Sequence, residues 1–319
     1  MPVALVAVLW LLALAATLLA SELLVRSVTA LGAQVGMSLA VLGLLVAFGA
    51  DSPEITSGLI AITQNQVNVG IGVVLGSNIY NLAGLLGISA IVGGSLSIGK
   101  RLLPREGAVN VLLTVGVIIL LVTPVPQAVL AIAMLIIFGA YIAYTVVEKP
   151  ASTGPEVRSQ IEAEEASTGH PLPANIALTL VAVIVIVAAS YGLVQASLNL
   201  GPRFGIPSSV IGTLVLAIAT SLPNTYAAIS LSRRDLPASA VSATFNSNSI
   251  NLIAAIAVPA LILTLHASNI TRTLDVGWLA LMTVAALFLL AVRHALSRRD
   301  GAMLIGLYVV FAALHIVFE

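Results

Sequence analysis

Ala47-Phe48-Gly49-Ala50-Asp51-Ser52-Pro53-Glu54 sets two carboxylates and a proline inside an apolar stretch, and Ala217-Ile218-Ala219-Thr220-Ser221-Leu222-Pro223-Asn224 repeats the pattern 170 positions later. A second pair keeps that spacing of 170: Gly76-Ser77-Asn78-Ile79-Tyr80-Asn81 against Asn246-Ser247-Asn248-Ser249-Ile250-Asn251. Upstream, Gly36 and Gly43 pair with Gly205 and Gly212 at 169, so one residue slips before the motif. The chain is read as an internal duplication, with helix breakers and polar side chains in the middle of hydrophobic runs.

The composition says which solvent those runs face. Of 319 residues, 59% are hydrophobic and only 8% are charged, against about one quarter in soluble domains. The solvent is therefore a lipid bilayer, where backbone groups must pair internally and helices follow. Continuous apolar runs near twenty residues exclude the alternating ten-residue segments of a β-barrel. With no cysteine, disulfides, thiolate metal sites and cysteine nucleophiles are excluded. A net charge of zero gives no sign of a nucleic-acid partner. Met1 to Thr17 lacks the basic start of a signal peptide and reads as the beginning of the first span.

Ten apolar stretches can be drawn, near residues 3–25, 38–62, 69–95, 107–123, 127–147, 174–198, 208–231, 237–264, 274–292 and 301–318. The expected fold is an all-α polytopic membrane protein of ten spans. A hydrophilic linker containing Glu148, Glu156, Glu162, Glu164 and Glu165 divides it into a first five-span repeat (1–147), the linker (148–173) and a second five-span repeat (174–319). The loops joining spans 1–2, 3–4, 5–6, 7–8 and 9–10 hold Arg26, Lys100, Arg101, Arg105, Lys149, Arg158, Arg233, Arg234, Arg293, Arg298 and Arg299. The opposite side holds only Arg203 and Arg272. The positive-inside rule then places the first set and the linker in the cytoplasm and both termini outside. Five spans per half make the duplication an inverted-topology repeat, the plan of many secondary transporters.

Pro53 and Pro223 each remove a backbone hydrogen bond. That is expected to break spans two and seven and to free carbonyls around Ala47–Gly49 and Ala217–Ala219. Ser77 and Asn81, and likewise Ser247 and Asn251, are four apart and share a helix face. Four such segments converging near the midplane would make an oxygen-lined site, the ligand set of hard cations. The blander reading is kinks and packing contacts of ordinary membrane helices. Asp51 and Glu54 carry the sharpest signal, because ionised carboxylates at a bilayer centre are costly and no Lys or Arg lies near them in sequence. They are protonated and hydrogen-bonded between helices, or they bind a cation or trade protons for one. One Ca²⁺, two Na⁺ or two protons would neutralise them. Glu22 and Arg26, four apart, read as an ordinary helical ion pair. Arg233-Arg234 and Arg298-Arg299 read as topology anchors. His266, His294 and His315 sit near span ends and His170 in the linker, with no metal-ligand spacing among them.

At these motifs the sequence resembles the sodium/calcium exchanger family, whose pattern runs roughly G-T-S-x-P-E and then G-S-N-I-x-N/D. The resemblance covers nearly the whole chain. It implies alternating access at one central site built from spans two, three, seven and eight, with spans one and six moving across that core. By position, Glu54, Ser77, Asn81, Thr220, Ser221 and Ser247 match family ligands, and Ala47 and Ala217 match positions offering carbonyls. Asn78, Asn248, Asn224, Asn251 and Asp51 complete the candidate metal set. The family has a glutamate in each repeat, but here the second is Asn224, while Asp51 stands where the family has serine. Ala50 replaces threonine, and Asn251 stands where many members have aspartate. Both charges thus come from one half.

The function expected is secondary cation antiport, Na⁺ against Ca²⁺, with Na⁺/H⁺ or other cation/H⁺ exchange as the alternative and Mg²⁺ transport less favoured. An intramembrane enzyme built on Asp51 or Ser52 lacks a paired aspartate and a nearby histidine, and discontinuous inverted repeats argue against a passive channel. No cofactor is expected beyond the transported ions. The partners expected are the bilayer and small inorganic cations, the chain being a monomer in a prokaryotic inner membrane.

Overall fold

The structure, a computed structural model, describes residues 1–35, 39–98, 102–147, 170–233 and 237–318. Gly36, Lys100, Arg101, Arg234 and linker positions 148–169, with Lys149, Arg158 and all five linker glutamates, lie outside the described residues.

Among the described residues, nine helices are long and apolar enough to cross a membrane, and a tenth span is a pair bent by 43°. In the first half these are span one (Val3–Gln34), span two (Leu39–Thr63), span three (Val67–Tyr80, a π-helical turn Asn81–Leu85, then Leu86–Gly93), span four (Leu102–Val122) and span five (Gln127–Val147). In the second they are span six (Leu172–Arg203), span seven, span eight (Pro237–Leu252, a π turn Ile253–Ala257, then Val258–Ala260), span nine (a π turn Thr271–Asp275, then Val276–Arg293) and span ten (Arg298–Phe318). Span seven is the bent one: Ser208–Val210, a π turn Ile211–Leu216, Ala217–Thr220 and, past Ser221, Leu222–Arg233. The protein is an all-α polytopic membrane protein built as two inverted repeats of five spans.

Cross-loop contacts fix which ends lie together. Gln34, the last residue of span one, bonds the His170 carbonyl before span six. Ser95–Ser97 and Ala295–Ser297, in the 3–4 and 9–10 connections, form a short antiparallel ladder. At the other end, Gln127 bonds Leu265, and Asn68 bonds Ser268. This sorting of loops is the one the arginine and lysine count requires.

Burial ranks the spans. Span three is buried almost throughout and span eight over most of its length, while spans one and six expose most of theirs. Spans one and six pair antiparallel, with Trp10 Nε1 donating to Ser197 Oγ (2.7 Å) and Thr179 to Ser27 (3.0 Å). Glycines let the inner spans touch backbone to backbone. A Cβ on Gly76 would stand 2.1 Å from the Thr213 carbonyl oxygen, and one on Gly212 2.4 Å from that of Val69. No side chain fits there, so spans three and seven are locked together beside Ser77.

One expectation fails. Span two is a continuous helix from Leu39 to Thr63, with Pro53 inside it. The carbonyl that Pro53 leaves without its i+4 donor belongs to Gly49, and two hydroxyls cover it: Ser52 Oγ at 2.6 Å and Ser21 Oγ of span one at 3.0 Å. Covered in this way, the orphaned group needs no break. Span seven does break, and spans three and eight carry π turns just past their polar motifs, a local widening often found at functional sites.

Candidate cation site

The two polar motifs of each half meet at the centre of the bundle. Asn78 donates its amide to the Asn248 carbonyl (3.1 Å) and Asn248 returns the bond to the Asn78 carbonyl (3.2 Å). Residues equivalent in the two repeats thus bind each other reciprocally, which marks the pseudo-twofold axis. Asn81 donates to Asn248 Oδ1 (3.1 Å), and its counterpart Asn251 donates to Asn78 Oδ1 (3.4 Å).

Both carboxylates lie against this axis with no exposed surface. Asp51 Oδ1 accepts from Asn224 Nδ2 at 2.7 Å and from Ser247 Oγ at 2.5 Å. Glu54 Oε1 accepts from Ser221 Oγ at 2.5 Å and from Asn224 Nδ2 at 3.4 Å, and Glu54 Oε2 accepts from Asn251 Nδ2. The Asp51–Asn224 and Ser221–Glu54 contacts are images of one another, since 51 matches 221 and 54 matches 224. Symmetry breaks at the serines. Ser77 Oγ lies 3.5 Å from the Ala217 carbonyl, whereas Ser247 has turned to the Asp51 carboxylate.

Twelve of the thirteen sequence candidates are buried at or near this cluster. Thr220 is among them, but its hydroxyl bonds back to the Leu216 carbonyl (2.8 Å) and meets neither carboxylate. Ala217 offers its carbonyl, which also receives the Ser221 amide (3.1 Å) and the Thr220 hydroxyl (3.4 Å). Asn224 is the least buried of these twelve at 9%. Ala47 is half-buried and packs on the hydrophobic core.

Three acceptors in the cluster have no hydrogen-bond partner: Asp51 Oδ2, Asn81 Oδ1 and Asn251 Oδ1. Ion pairs among the described residues lie elsewhere, at Glu22–Arg26, Arg293–Asp300 and Asp275–His315. Two buried carboxyl groups without a cationic side chain, beside unspent oxygens, form a donor set for a hard cation or for protons. No group of three His, Asp or Glu occurs among the described residues. Any metal held here would therefore rest on two carboxylates and neutral oxygens.

Two buried carboxylates escaped the reading of the sequence. Asp275 faces His315, both fully buried. Glu106, 3% exposed, accepts from Ser242 Oγ of span eight at 2.6 Å. The histidine facing Asp275 and the serine bonded to Glu106 lie on other spans, so no local pattern marks them. Their signal was a lone acidic residue at the edge of an apolar stretch.

Fold and site together define a polytopic cation exchanger with an inverted repeat. The chain belongs to the sodium/calcium exchanger protein family, whose model matches residues 5–147 and 174–317. It is a secondary transporter and not an enzyme. The sodium/calcium exchanger MaX1 of Methanosarcina acetivorans is 22% identical over 91% of this chain and 93% of its own. Among solved structures, the sodium-calcium exchanger NCX_Mj, soaked with 100 mM Na⁺ and 10 mM Sr²⁺, superposes with a TM-score of 0.68 at 22% identity, covering 98% of this chain and 99% of the other. The H⁺/Ca²⁺ exchanger CAX superposes with a TM-score of 0.76 at 15% identity, covering 98% and 86%. At these identities the structural likeness establishes the shared fold.

Proposed function

We propose that this chain exchanges Na⁺ for Ca²⁺ by alternating access at the Asp51–Glu54 site. The observation that carries the reading is a pair of fully buried carboxylates without a cationic partner, ringed by oxygens from spans two, three, seven and eight. Asp51, Glu54, Ser77, Asn81, Ser221, Ser247 and the Ala217 carbonyl hold the ions. Asn224 and Asn251 present amide hydrogens to the carboxylates, and turning either amide exchanges those hydrogens for a ligand oxygen. Asn78 and Asn248 hold the two halves in register. Ala47 and Thr220 complete the set in a conformation where their oxygens turn inward.

The placement of positive loops supports a cytoplasmic side carrying the 1–2, 3–4, 5–6, 7–8 and 9–10 connections and the 148–173 linker, with both termini outside. A monomer in a prokaryotic inner membrane, folded as repeats 1–147 and 174–319, fits this arrangement.

Proton-coupled exchange is the second reading, favoured by one feature: Asp51 and Glu54 share the Asn224 amide and come from a single helix turn. Two negative charges so close together bind protons readily. The CAX likeness is compatible with this reading as well. Proteoliposomes loaded with Na⁺ decide between the two. Ca²⁺ entry driven by the Na⁺ gradient supports the first reading, and movement of internal pH with Na⁺ while Ca²⁺ stays out replaces it with the second.

A further inference from the structure

Away from the central site, one acidic and one basic group face each other inside the bundle. Asp275 closes the π turn that opens span nine, and His315 lies on span ten. Both are fully buried, with His315 Nε2 2.9 Å from Asp275 Oδ1. The approach is off the line of a good hydrogen bond, leaving Asp275 Oδ1 and both imidazole nitrogens without a well-formed partner. The other carboxylate oxygen, Oδ2, accepts from Thr213 Oγ1 at 3.4 Å. Thr213 belongs to the π turn of span seven, and its carbonyl is the atom that admits only a glycine at 76, next to Ser77. The pair therefore touches the segment that leads into Ala217.

We propose that Asp275 and His315 form a proton-binding site, separate from the central carboxylates, whose occupancy sets the position of the span-seven π turn and so the affinity of the cation site. With one shared proton the pair is neutral, whether written as carboxylate and imidazolium or as acid and imidazole. Loss of that proton leaves a lone anion in a site that water does not reach, which is costly. The anion then draws on the donors left to it, the hydroxyls of Thr213 and Thr271. Thr271 faces it from its own turn. Pulling on Thr213 shifts residues 211–216 and with them the Ala217 carbonyl.

No other charged group competes at this position among the described residues. On span three the only ionisable side chain is Tyr80, whose ring meets Tyr308, two turns before His315 on span ten. Arg105 and Glu106 of span four lie level with Leu287, since Gly107 abuts that side chain, three turns along span nine from Asp275. Tyr226 and Arg233 of span seven lie beyond its bend. Arg298, Arg299 and Asp300 stand at the far end of span ten. Arg272, three residues from Asp275, is exposed at a crevice of about 690 Å³ lined also by His266 and Gln127. The other face of the imidazole is closed by Phe311, edge to face with centroids 5.6 Å apart.

The test is the apparent KM for Ca²⁺ in Na⁺-driven flux between pH 5.5 and 9. Wild-type protein is expected to show a severalfold change across that range. D275N and H315Q each reduce it by the same severalfold amount, leaving what the central carboxylates contribute, and the double variant does no more than either single one, because they share one proton. Profiles of both variants coinciding with wild type overturn the proposal. An independent readout uses H170Q/H266Q/H294Q, which removes three exposed histidines and leaves His315 alone. Its ring resonances are expected to report the proton shared with Asp275, moving with pH and changing position in D275N, and resonances that stay fixed also overturn it. Should D275N fail to give monodisperse protein, H315Q and the resonances decide. The resonance titration does not depend on which cation is carried, so it separates failure here from failure of the Na⁺/Ca²⁺ reading.

Discussion

Span two and span seven carry the same proline at equivalent positions, yet one helix runs through it and the other bends by 43°. The proline sets the need, and the neighbours decide the outcome. In span two the Gly49 carbonyl is capped by Ser52 and by Ser21 of span one. In span seven the equivalent carbonyl is that of Ala219. The residue matching Ser52 is Leu222, which has no hydroxyl, and the one matching Ser21 at a spacing of 169 is Ser190 of span six, whose Oγ is buried without a partner. The first repeat has therefore spent its hydroxyls on a straight helix that holds both carboxylates. The second keeps a broken helix whose Ala217 carbonyl faces Ser77. Charge sits on the rigid arm and neutral oxygens on the bent one.

The largest effect should come from removing charge on the rigid arm. Glu54→Gln is expected to lower flux about 1,000-fold, or ~4 kcal/mol, in proteoliposomes. Retained flux would mean that the ion does not need this carboxylate. Next is the contact that locks the arms together. Gly76→Ala drives a methyl into the Thr213 carbonyl and should destabilise the fold by about 3 kcal/mol, whereas Asn246→Ala at the equivalent position loses the Tyr141 hydrogen bond and a long one to Ser242, about 1 kcal/mol. Thermal melts in detergent compare the two. Asp51→Asn should weaken apparent Ca²⁺ affinity about tenfold, ~1.4 kcal/mol. Moving that charge across the axis with Asp51→Ser and Asn224→Glu should restore affinity and alter the Na⁺ dependence. If ion preference stays put, charge location is irrelevant to selectivity. The smallest test is the sharpest for the comparison itself. Ser21→Ala should cost about 1 kcal/mol because it removes one of the two hydroxyls on the Gly49 carbonyl, while Ser190→Ala, which breaks no bond, should cost less than about 0.5 kcal/mol. Equal costs would show that the two serines do the same job and that the bend has another cause.

Much of this was legible in the chain. The duplicated motifs located both halves of the buried polar cluster, and the arginine and lysine distribution sorted the loops as the Ser95–Ser97 and Ala295–Ser297 ladder does. Asp51 and Glu54 stood out because nothing nearby in sequence neutralises them. What escaped depends on partners far along the chain. The unbroken course through Pro53 needs Ser21, 28 residues from Gly49 and on another span. The Asp275–His315 contact joins residues 40 apart, and His315 looked like one more residue at the end of a span. Ser247 turning to Asp51, and not to a carbonyl as Ser77 does, follows from the aspartate that only one repeat carries.

Spans one and six are each 32 residues long, so each extends about 48 Å along its axis, against a hydrocarbon slab of roughly 30 Å. Such rods stand oblique to the bilayer normal or protrude from it, and their obliquity follows the surrounding acyl chains. Because these two rods form one antiparallel pair on the lipid-facing flank, phospholipids of different tail length act on the pair as a unit, a mechanical input that does not pass through the polar cluster.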